Sequence, residues 1–217
     1  MATTLNANGL AAWIGDQAAG SDRFLVGIAG APGSGKSTLA AQLAGELDAV
    51  LVAMDGFHLS NAELDRRGVR CIKGAPQTFD ADGFVAAVRA LRRAESDLSL
   101  PDFDRDLDEP RQDRVRVPAS ARIVIIEGNY LLLGAAPWVE LRRLLDAVAH
   151  LDIDTAVRVR RLIERHVRFG RTPDEAAAFV HASDEPNAAL VEAARHRAHL
   201  IVKRADVAEP EDADRVD

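Results

Sequence analysis

The sequence predicts an α/β fold in which one parallel β-sheet lies between two layers of helices. Apolar runs of three to six residues, typical of strands buried on both faces, alternate along the chain with segments of helical periodicity. Strands that alternate with helices run parallel in one sheet and carry helices on both sides. The chain has 217 residues, and a single domain takes roughly 100 to 250. We therefore expect one domain over residues 1–203.

The first part of the chain reads as helix, strand, helix and strand. Residues 1–20 contain spaced apolar side chains among alanines, which predicts an N-terminal amphipathic helix. Phe24–Ala29 (FLVGIA) is a compact apolar run and Val50–Met54 (VLVAM) is the next, so both are predicted strands. Between them, Lys36–Leu47 has leucines spaced by four residues, which indicates a helix.

Four further elements follow in the second part of the chain. Phe84–Arg93 has helical periodicity, and Arg122–Ile126 (RIVII) is the clearest central strand. His150–Ile153 (HLDI) and Leu200–Val202 (LIV) are shorter strand candidates. Parallel sheets of this kind bind ligands at the carboxyl ends of their strands, so we expect the functional site at that edge.

Two connections are too polar and irregular for core elements, Ser60–Asp80 and Leu100–Pro118. Loops longer than about 12–15 residues are uncommon in compact domains and are usually functional or disordered. The sequence leaves both alternatives open for each connection.

Composition excludes several classes of protein. With 47% hydrophobic and 28% charged residues, the chain is neither disordered nor collagen-like. No apolar run reaches the roughly 20 residues needed to span a bilayer, and the N-terminus has no signal-peptide pattern. The single cysteine, Cys71, cannot form an internal disulfide, which suits a reducing compartment. We expect a cytoplasmic protein without membrane contact, and the oligomeric state stays open, a homodimer included.

Charge is distributed unevenly along this acidic chain of net charge −7. Residues 204–217 hold two arginines against six acidic residues, and we expect this acidic tail to be disordered. Residues 156–171, the arginine segment, hold six arginines and one glutamate. One short basic segment does not track a nucleic-acid backbone, which needs an extended basic surface. A small polyanion is the better ligand.

The sequence GAPGSGKS at Gly30–Ser37 follows a predicted strand and opens a predicted helix, as the motif G-x-x-x-x-G-K-[ST] requires. Its glycines let backbone amides surround phosphate oxygens, Lys36 can reach the β- and γ-phosphates, and Ser37 can offer its hydroxyl to Mg²⁺. The alternative is a glycine-rich turn with an incidental lysine. The predicted nucleotide-binding residues here are Gly30, Ala31, Pro32, Gly33, Ser34, Gly35, Lys36, Ser37 and Thr38.

Two carboxylates follow predicted strands and should reach the same edge of the sheet. Asp55, in MDGFH, can orient an acceptor hydroxyl and take its proton during phosphoryl transfer. Glu127, in IIEGNY, can hold the metal ion directly or through water. Asp-Gly also forms turns, and Glu127 can be structural, so both alternatives stay open.

The arginine segment predicts an amphipathic helix that acts as a lid. Its arginines are spaced by three, four and three residues and line one face: Arg158, Arg161, Arg165 and Arg168. Its aliphatic residues line another: Val159, Ile163 and Val167. Such a helix can pack on one side while the other closes over a triphosphate, neutralises developing charge and excludes water. A solvated helical face is the alternative.

Six segments in this order resemble the phosphoribulokinase and uridine kinase family of P-loop kinases. They are GAPGSGKS at Gly30, MDGFHLSN at Met54, KGAPQTFD at Lys73, PDFDR at Pro101, IVIIEGNYLL at Ile123 and RHVRFGR at Arg165. The resemblance is strongest to a branch of small bacterial nucleoside kinase-like and fructose transport system kinase-like proteins, related to bacterial pantothenate kinase. It implies a three-layer P-loop NTPase fold that uses ATP and Mg²⁺.

The resemblance also assigns roles to individual residues. It gives Asp55 the position of the family's catalytic aspartate, beside Lys36, and Glu127 that of the acidic residue ending the Walker B strand. It makes Arg165, Arg168 and Arg171 the lid arginines, with Arg165 catalytic and the other two in contact with nucleotide.

The acceptor site is less clearly marked in the sequence. Its candidate residues are His58, Lys73, Asp104, Arg105 and Tyr130. They are polar or aromatic groups suited to a hydroxyl-rich or nucleobase-bearing acceptor, and a structural role stays open for each. Asn187, in SDEPNAAL, is expected to cap a helix.

The predicted activity is transfer of the γ-phosphate of ATP to a hydroxyl of a small metabolite, such as a sugar, a nucleoside or a pantothenate-like compound. Two alternatives are an NTP-driven switch and a nucleotide-binding regulator without catalysis. The chain lacks the N-K-x-D motif of guanine switches and the L-S-G-G-Q motif of ABC proteins, which favours the kinase.

Overall fold

A computed structural model describes residues 3–203, so the expected acidic tail lies outside the described residues. The strands, in chain order, are β1 (Thr3–Asn6), β2 (Phe24–Ala29), β3 (Val50–Ala53), β4 (Leu98–Asp104), β5 (Glu109–Val117), β6 (Ile123–Gly128), β7 (Ala147–Asp152) and β8 (Leu200–Lys203). Six of them form one parallel sheet in the order β1-β8-β7-β2-β6-β3. The expected parallel sheet is confirmed.

Helices cover both faces of this sheet. They are α1 (Leu10–Ala18), α2 (Lys36–Glu46), α3 (Asn61–Arg67), α4 (Ala81–Arg93), α5 (Leu141–Leu144), α6 (Thr155–Arg168), α7 (Pro173–Phe179) and α8 (Glu185–Ala193). The core on one face is formed with α1 and α2, and the core on the other with α4, α5 and α8. The architecture is therefore the predicted three-layer αβα arrangement. Within residues 3–203, no helix has the length and apolarity to cross a membrane.

The N-terminal residues differ from the expectation of one helix over residues 1–20. A helix is present at Leu10–Ala18 and buries Leu10 and Ile14, but Thr3–Asn6 forms an edge strand that pairs with Leu200–Lys203. This strand is short and mostly exposed, so it lacks the apolar run by which the other strands are recognised.

The expectation of an irregular connection at Leu100–Pro118 is wrong. Strands β4 and β5 pair there as an antiparallel hairpin outside the main sheet. Its inward side chains include Leu100 and Val117, but five of the nine residues of β5 are exposed and five are charged. One half-buried hairpin face supplies too few apolar residues to be recognised among so many charges.

The other polar connection, Ser60–Asp80, also contains regular structure. Helix α3 begins where the Ser60 hydroxyl accepts a hydrogen bond from the Glu63 amide at 3.2 Å. It ends at Gly68, whose φ of 68° is a left-handed conformation that favours glycine. Both connections therefore form walls at the carboxyl edge of the sheet.

Close backbone contact fixes the hairpin against the end of β3. Gly56 is buried there, and a Cβ atom on it would lie against the Pro101 carbonyl oxygen and 2.7 Å from the carbonyl carbon. Only glycine allows this approach. The hairpin is thereby held over the residues that follow β3, which include Asp55.

Candidate active site

The loop between β2 and α2 has the conformation that its glycines allow. Gly33 and Gly35 adopt φ values of 77° and 82°, in the left-handed region. Gly35 directly precedes α2, an eleven-residue helix. The first amides of a helix have no partner within it, and they carry the positive end of its dipole. The loop therefore presents an anion site at the carboxyl edge of the sheet.

Strand register brings the two candidate carboxylates to this loop. Glu127 on β6 pairs with Ile28 of β2 on one side and with Ala53 of β3 on the other. Asp55 lies two residues beyond Ala53. The phosphate loop, Glu127 and Asp55 thus lie at the carboxyl ends of three adjacent strands, β2, β6 and β3, at one edge of the sheet.

Glu127 is a buried carboxylate with one oxygen available. Glu127 is only 4% exposed, and its Oε1 atom accepts a hydrogen bond from the Ser37 hydroxyl at 3.2 Å. Oε2 is buried and has no hydrogen-bond partner among the described residues. Burial raises the pKa of the Glu127 carboxyl, and the nearby positive charge of Lys36 opposes this. A buried oxygen without a partner beside a serine hydroxyl suits Mg²⁺, which prefers oxygen ligands.

Asp55 is held by a short turn after β3. Its carbonyl oxygen accepts hydrogen bonds from the His58 amide at 3.1 Å and from the His58 ring at 2.8 Å, so Nδ1 carries the ring proton. The His58 ring lies between Phe79 and Phe103, at centroid distances of 3.9 and 4.9 Å. Burial lowers the pKa of His58. His58 therefore supports the backbone of Asp55 while also lining the site.

These groups face a cleft of about 780 Å³. Eight of the residues named from the sequence line it: Pro32, Lys36, Asp55, His58, Lys73, Arg105, Arg165 and Arg171. The fold thus brings residues of the phosphate loop, the candidate base and two arginines of the arginine segment to one cavity.

Lys73 ties two walls of the cleft together. Its ammonium group donates to the Asn61 side chain at 2.8 Å and to the Asp108 carbonyl at 2.6 Å, and it pairs with the Asp108 carboxylate at 2.8 Å. It also lies 5.0 Å from the centroid of the Phe103 ring. With its donors engaged, Lys73 joins α3 to the turn of the hairpin.

Three of the predicted acceptor residues and lid arginines do not line the cleft. Glu127 and the phosphate loop, apart from Pro32 and Lys36, are likewise not among its lining residues. Tyr130 is fully buried among aromatic rings, its hydroxyl donates to the Gly74 carbonyl at 2.5 Å, and burial raises its pKa. The Asp104 carboxylate accepts hydrogen bonds from the amides of Asp106 and Leu107, both at 3.1 Å, and so stabilises the hairpin turn. Arg168 is not among the described residues that line the cleft. Tyr130 and Asp104 therefore make structural contacts, and their roles at the acceptor site stay predictions.

The arginine segment packs differently from the expectation. Arg158 is buried, donates to Glu185 of α8 at 2.6 Å and contacts the Pro32 carbonyl at 3.5 Å. The packed face of α6 carries Leu162 with Arg158, whereas Val167 is 38% exposed. The expected valine face is wrong, because the ion pair with Glu185 lets an arginine occupy the buried side.

The start of α6 lies directly on the phosphate loop. A Cβ atom on Gly33 would lie 2.7 Å from Leu162 Cγ and 2.9 Å from the Arg158 carbonyl oxygen. The second loop glycine is therefore required by packing as well as by its positive φ. Helix α6 is thereby fixed against the phosphate loop at Arg158 and Leu162.

Sequence reasoning missed several residues of the cleft: Asn129, His166, Phe169, Phe179, Asp184 and Asn187. The expected capping role of Asn187 is wrong, because Asn187 is buried within α8 and lines the cleft. Asn129 could have been found from its position two residues after Glu127. Asp184 and Asn187 reach the cleft from a π-helical segment, Val180–Asp184, and from α8, which follows it. Sequence periodicity does not predict a π-helix.

Three relatives are similar to this chain over most of its length. A Schizosaccharomyces pombe protein, provisionally named uridine kinase C227.14, is 40% identical over 184 residues, 78% of each chain. A crystal structure from Silicibacter sp. TM1040, provisionally named a fructose transport system kinase, is 38% identical with a TM-score of 0.84, covering 91% of this chain and 98% of the other. The structure of YFH7 from Saccharomyces cerevisiae has a TM-score of 0.82 at 19% identity, covers 94% of this chain and 100% of its own, and supports the fold alone.

The match to a family extends over nearly the whole described chain. Residues 25–209 match the family described as Phosphoribulokinase / Uridine kinase family. This span contains the phosphate loop, both carboxylates and the arginine segment, and the three-layer fold is that of a P-loop NTPase. The chain belongs to the phosphoribulokinase/uridine kinase family of P-loop kinases.

Proposed function

We propose that this protein transfers the γ-phosphate of ATP to a hydroxyl group of a small metabolite. The observation that carries the proposal is the register of β2, β6 and β3, which ends in the phosphate loop, Glu127 and Asp55 at one edge. A triphosphate held by the loop then has a carboxylate on the side from which an acceptor enters. Phosphoryl transfer depends mainly on such positioning and on electrostatic stabilisation.

The nucleotide would be bound by the loop amides, Lys36 and the lid arginines Arg165 and Arg171. Lys36 and both arginines line the same cleft. Ser37 and Glu127 would hold Mg²⁺, since Glu127 Oε2 is buried and has no partner among the described residues. When bound, the metal ion supplies positive charge against the phosphate oxygens. Arg168 would contact nucleotide only after movement of its helix.

Asp55 would act as the general base. Asp55 lines the cleft, and its backbone carbonyl is hydrogen-bonded by His58, so the position of its backbone is fixed. It orients the acceptor hydroxyl and takes its proton as the new bond to phosphorus forms. The arginines neutralise charge on the transferred group and exclude water, which would otherwise compete as the acceptor.

The acceptor is a sugar, a nucleoside or a pantothenate-like compound. Among the proteins similar to this chain, one carries the name of a uridine kinase, one that of a fructose transport system kinase and several that of pantothenate kinase, so their names give no common acceptor. The acceptor end of the cleft would be formed by Arg105, Asn187 and Phe103, which line the cavity beside Asp55. We propose Arg105 and Asn187 as polar contacts to the acceptor, and His58 and Lys73 as the residues that hold this wall.

The test is to mix the protein with ATP, Mg²⁺ and a panel of sugars, nucleosides and pantothenate, and to measure ADP. Release of ADP that depends on one acceptor supports the proposal. Equal release with and without acceptors indicates an ATPase, and ATP binding without release indicates a regulator. Either of these two results would overturn the proposal.

A further inference from the structure

Four side chains form a connected group beside the lid arginine Arg171. The Arg171 guanidinium contacts Nδ1 of His166 at 2.6 Å, and Nε2 of the same ring contacts the Asp184 carboxylate at 2.8 Å. Arg171 also lies over the Phe179 ring at 3.9 Å, and the rings of Phe179 and His166 are 4.8 Å apart. All four residues line the cleft.

The chemistry of arginine fixes the protonation of this group. A guanidinium has only donors, so at 2.6 Å Nδ1 of His166 must accept. The ring proton is then on Nε2 and is donated to Asp184. A neutral imidazole oriented by a carboxylate therefore holds Arg171, in the order carboxylate, imidazole, guanidinium.

The charged groups around the His166 ring are compatible with a neutral imidazole between Arg171 and Asp184. The charged groups that face the His166 ring are Asp184, from the segment before α8, and Arg171, from the turn after α6. Arg165, the residue before His166, lines the same cleft. Beyond Asp184 is the Tyr130 hydroxyl, whose pKa is raised by burial and further by the charges of Asp55 and Asp184. Tyr130 therefore stays protonated and adds no negative charge.

We propose that Asp184 and His166 are positioning residues that hold Arg171 on the cleft wall, where it binds nucleotide phosphate. Protonation of His166 replaces its acceptor with a second donor facing the guanidinium, so Arg171 is released and nucleotide binding weakens. Both side chains are mostly buried, at 13% exposure for His166 and 11% for Asp184, which favours a single geometry. The inference rests on the proposed binding of ATP in this cleft.

The first test measures the dissociation constant of ATP with Mg²⁺ between about pH 5.5 and pH 8, where histidine changes charge. Loss of a hydrogen bond to a charged group costs a factor of roughly ten or more, so the wild type should weaken by about tenfold on acidification. His166→Gln keeps an acceptor for Arg171 and a donor for Asp184 but does not titrate. It should bind like wild type at pH 8 and lack the additional loss.

Three further variants complete the comparison. His166→Phe and Arg171→Ala should bind weakly at every pH, because Arg171 is unsupported or absent. His181→Gln changes an exposed histidine of the neighbouring segment and should keep the wild-type profile. Titration of ATP itself affects all variants alike, so the difference between wild type and His166→Gln reports His166. An identical acid loss in the two proteins would overturn the inference.

The second test is independent of nucleotide. A long-range ¹H–¹⁵N spectrum of the protein labelled at histidine nitrogen should show His166 as the neutral Nε2–H tautomer near pH 8. An Nδ1–H tautomer or an imidazolium at that pH would refute the arrangement even if ATP binds. The expected tautomer in a protein that does not bind ATP would instead refute the proposed function and, with it, the role of Arg171.

Discussion

Glu127 has an unusual environment for a carboxylate, since it is buried, bonded to Ser37 through one oxygen and unpartnered at the other within the described residues. Burial raises its pKa above the ordinary value. An acid whose pKa is raised by folding favours the folded state at low pH, and this contribution is lost as the pH rises through the folded pKa. Without a metal ion, the ionised Glu127 carboxylate therefore lowers the free energy of unfolding.

We expect Glu127→Gln to separate stability from activity. Without metal at pH 7 to 8, the variant should melt at a higher temperature than wild type, because it removes a buried ionised group. Acceptor-dependent ADP formation should fall by about 10²–10³-fold, the usual cost of losing an electrostatic contact to a reacting group. The control Glu46→Gln alters an exposed carboxylate bonded to Gln42 and should change neither property. A lower melting temperature for Glu127→Gln would contradict the assigned cause of the pKa shift.

Lys36 allows a second prediction at the same scale. Lys36→Ala removes the charge that faces the β- and γ-phosphates, so turnover should fall by at least about 100-fold. The far-ultraviolet circular dichroism spectrum should match wild type, because Lys36 lies at the first position of α2 and lines the cleft. Lys203→Ala, at an exposed position, is the control. Unchanged turnover in Lys36→Ala would refute the phosphate-binding role of the loop.

The residues that sequence placed at the right edge of the sheet share one property. The phosphate loop, Asp55 and Glu127 each lie at or just beyond the carboxyl end of a strand, so chain position alone indicates this edge. Tyr130 comes two residues after β6, the strand that contains Glu127. Its hydroxyl is nevertheless bonded to the Gly74 carbonyl, in a segment whose path the sequence does not indicate. The Asp104 carboxylate accepts hydrogen bonds from the amides of its own turn, as polar side chains in loops often do.

At the scale of elements, the hairpin forms one wall of the cleft, and Gly56 is the point at which it packs against the residues after β3. Gly56→Ala would push a methyl group into the backbone at Pro101, which cannot yield as a flexible side chain can. We expect a loss of about 1–3 kcal/mol in the free energy of unfolding, the usual cost of overpacking. Displacement of Asp55 should also lower kcat more than it changes the affinity for ATP.

The matched control is Gly45→Ala. A Cβ atom on Gly45 of α2 would meet no other atom within 4 Å. Alanine in a helix should therefore stabilise the protein, by about 0.4–1 kcal/mol. Denaturant unfolding of both variants checks the pair. Equal stability of Gly56→Ala and wild type would mean that the hairpin is not held at this point.

Elements were predictable to the extent that their apolar pattern was complete. Strand β2 has the predicted bounds, and α2 ends one residue before its predicted end. Both were predictable because their buried residues follow the complete pattern of a strand or a helix. The hairpin and β1 were not predictable. Strand β1 is mostly exposed and pairs with the distant β8, whereas the hairpin pairs within itself, and five of the nine residues of its strand β5 are exposed. Pairing partners are a tertiary property that local periodicity does not report.

For the whole molecule, the arginine segment joins the phosphate loop to α8. We expect amide hydrogen exchange in residues 165–171 to slow when ATP and Mg²⁺ bind. The change should be smaller near Arg158, which is already buried against Glu185 without nucleotide. Exchange in α4 should be unaffected, since it packs on the sheet away from the cleft. Equal exchange in residues 165–171 with and without ATP would count against a lid.

The overall architecture could be read from the sequence, and the packing of its parts could not. Alternating strands and helices determine a parallel three-layer fold by general rules of chain connection. The sign of the charge on residues 156–171 was equally visible. That an arginine, rather than a valine, faces the interior depends on Glu185, which lies 27 residues further along the chain.

The buried end of α6 has a mechanical consequence. We expect Arg158 to act as a pivot, and at a rise of about 1.5 Å per residue the axis extends roughly 15 Å from there to Arg168. A rotation of about 10° would move the far end of α6 by about 3 Å, enough to bring an arginine into or out of hydrogen-bond range. Such a movement would leave Arg158 and Leu162 in place and would change the contacts of His166 with Asp184 and Phe179.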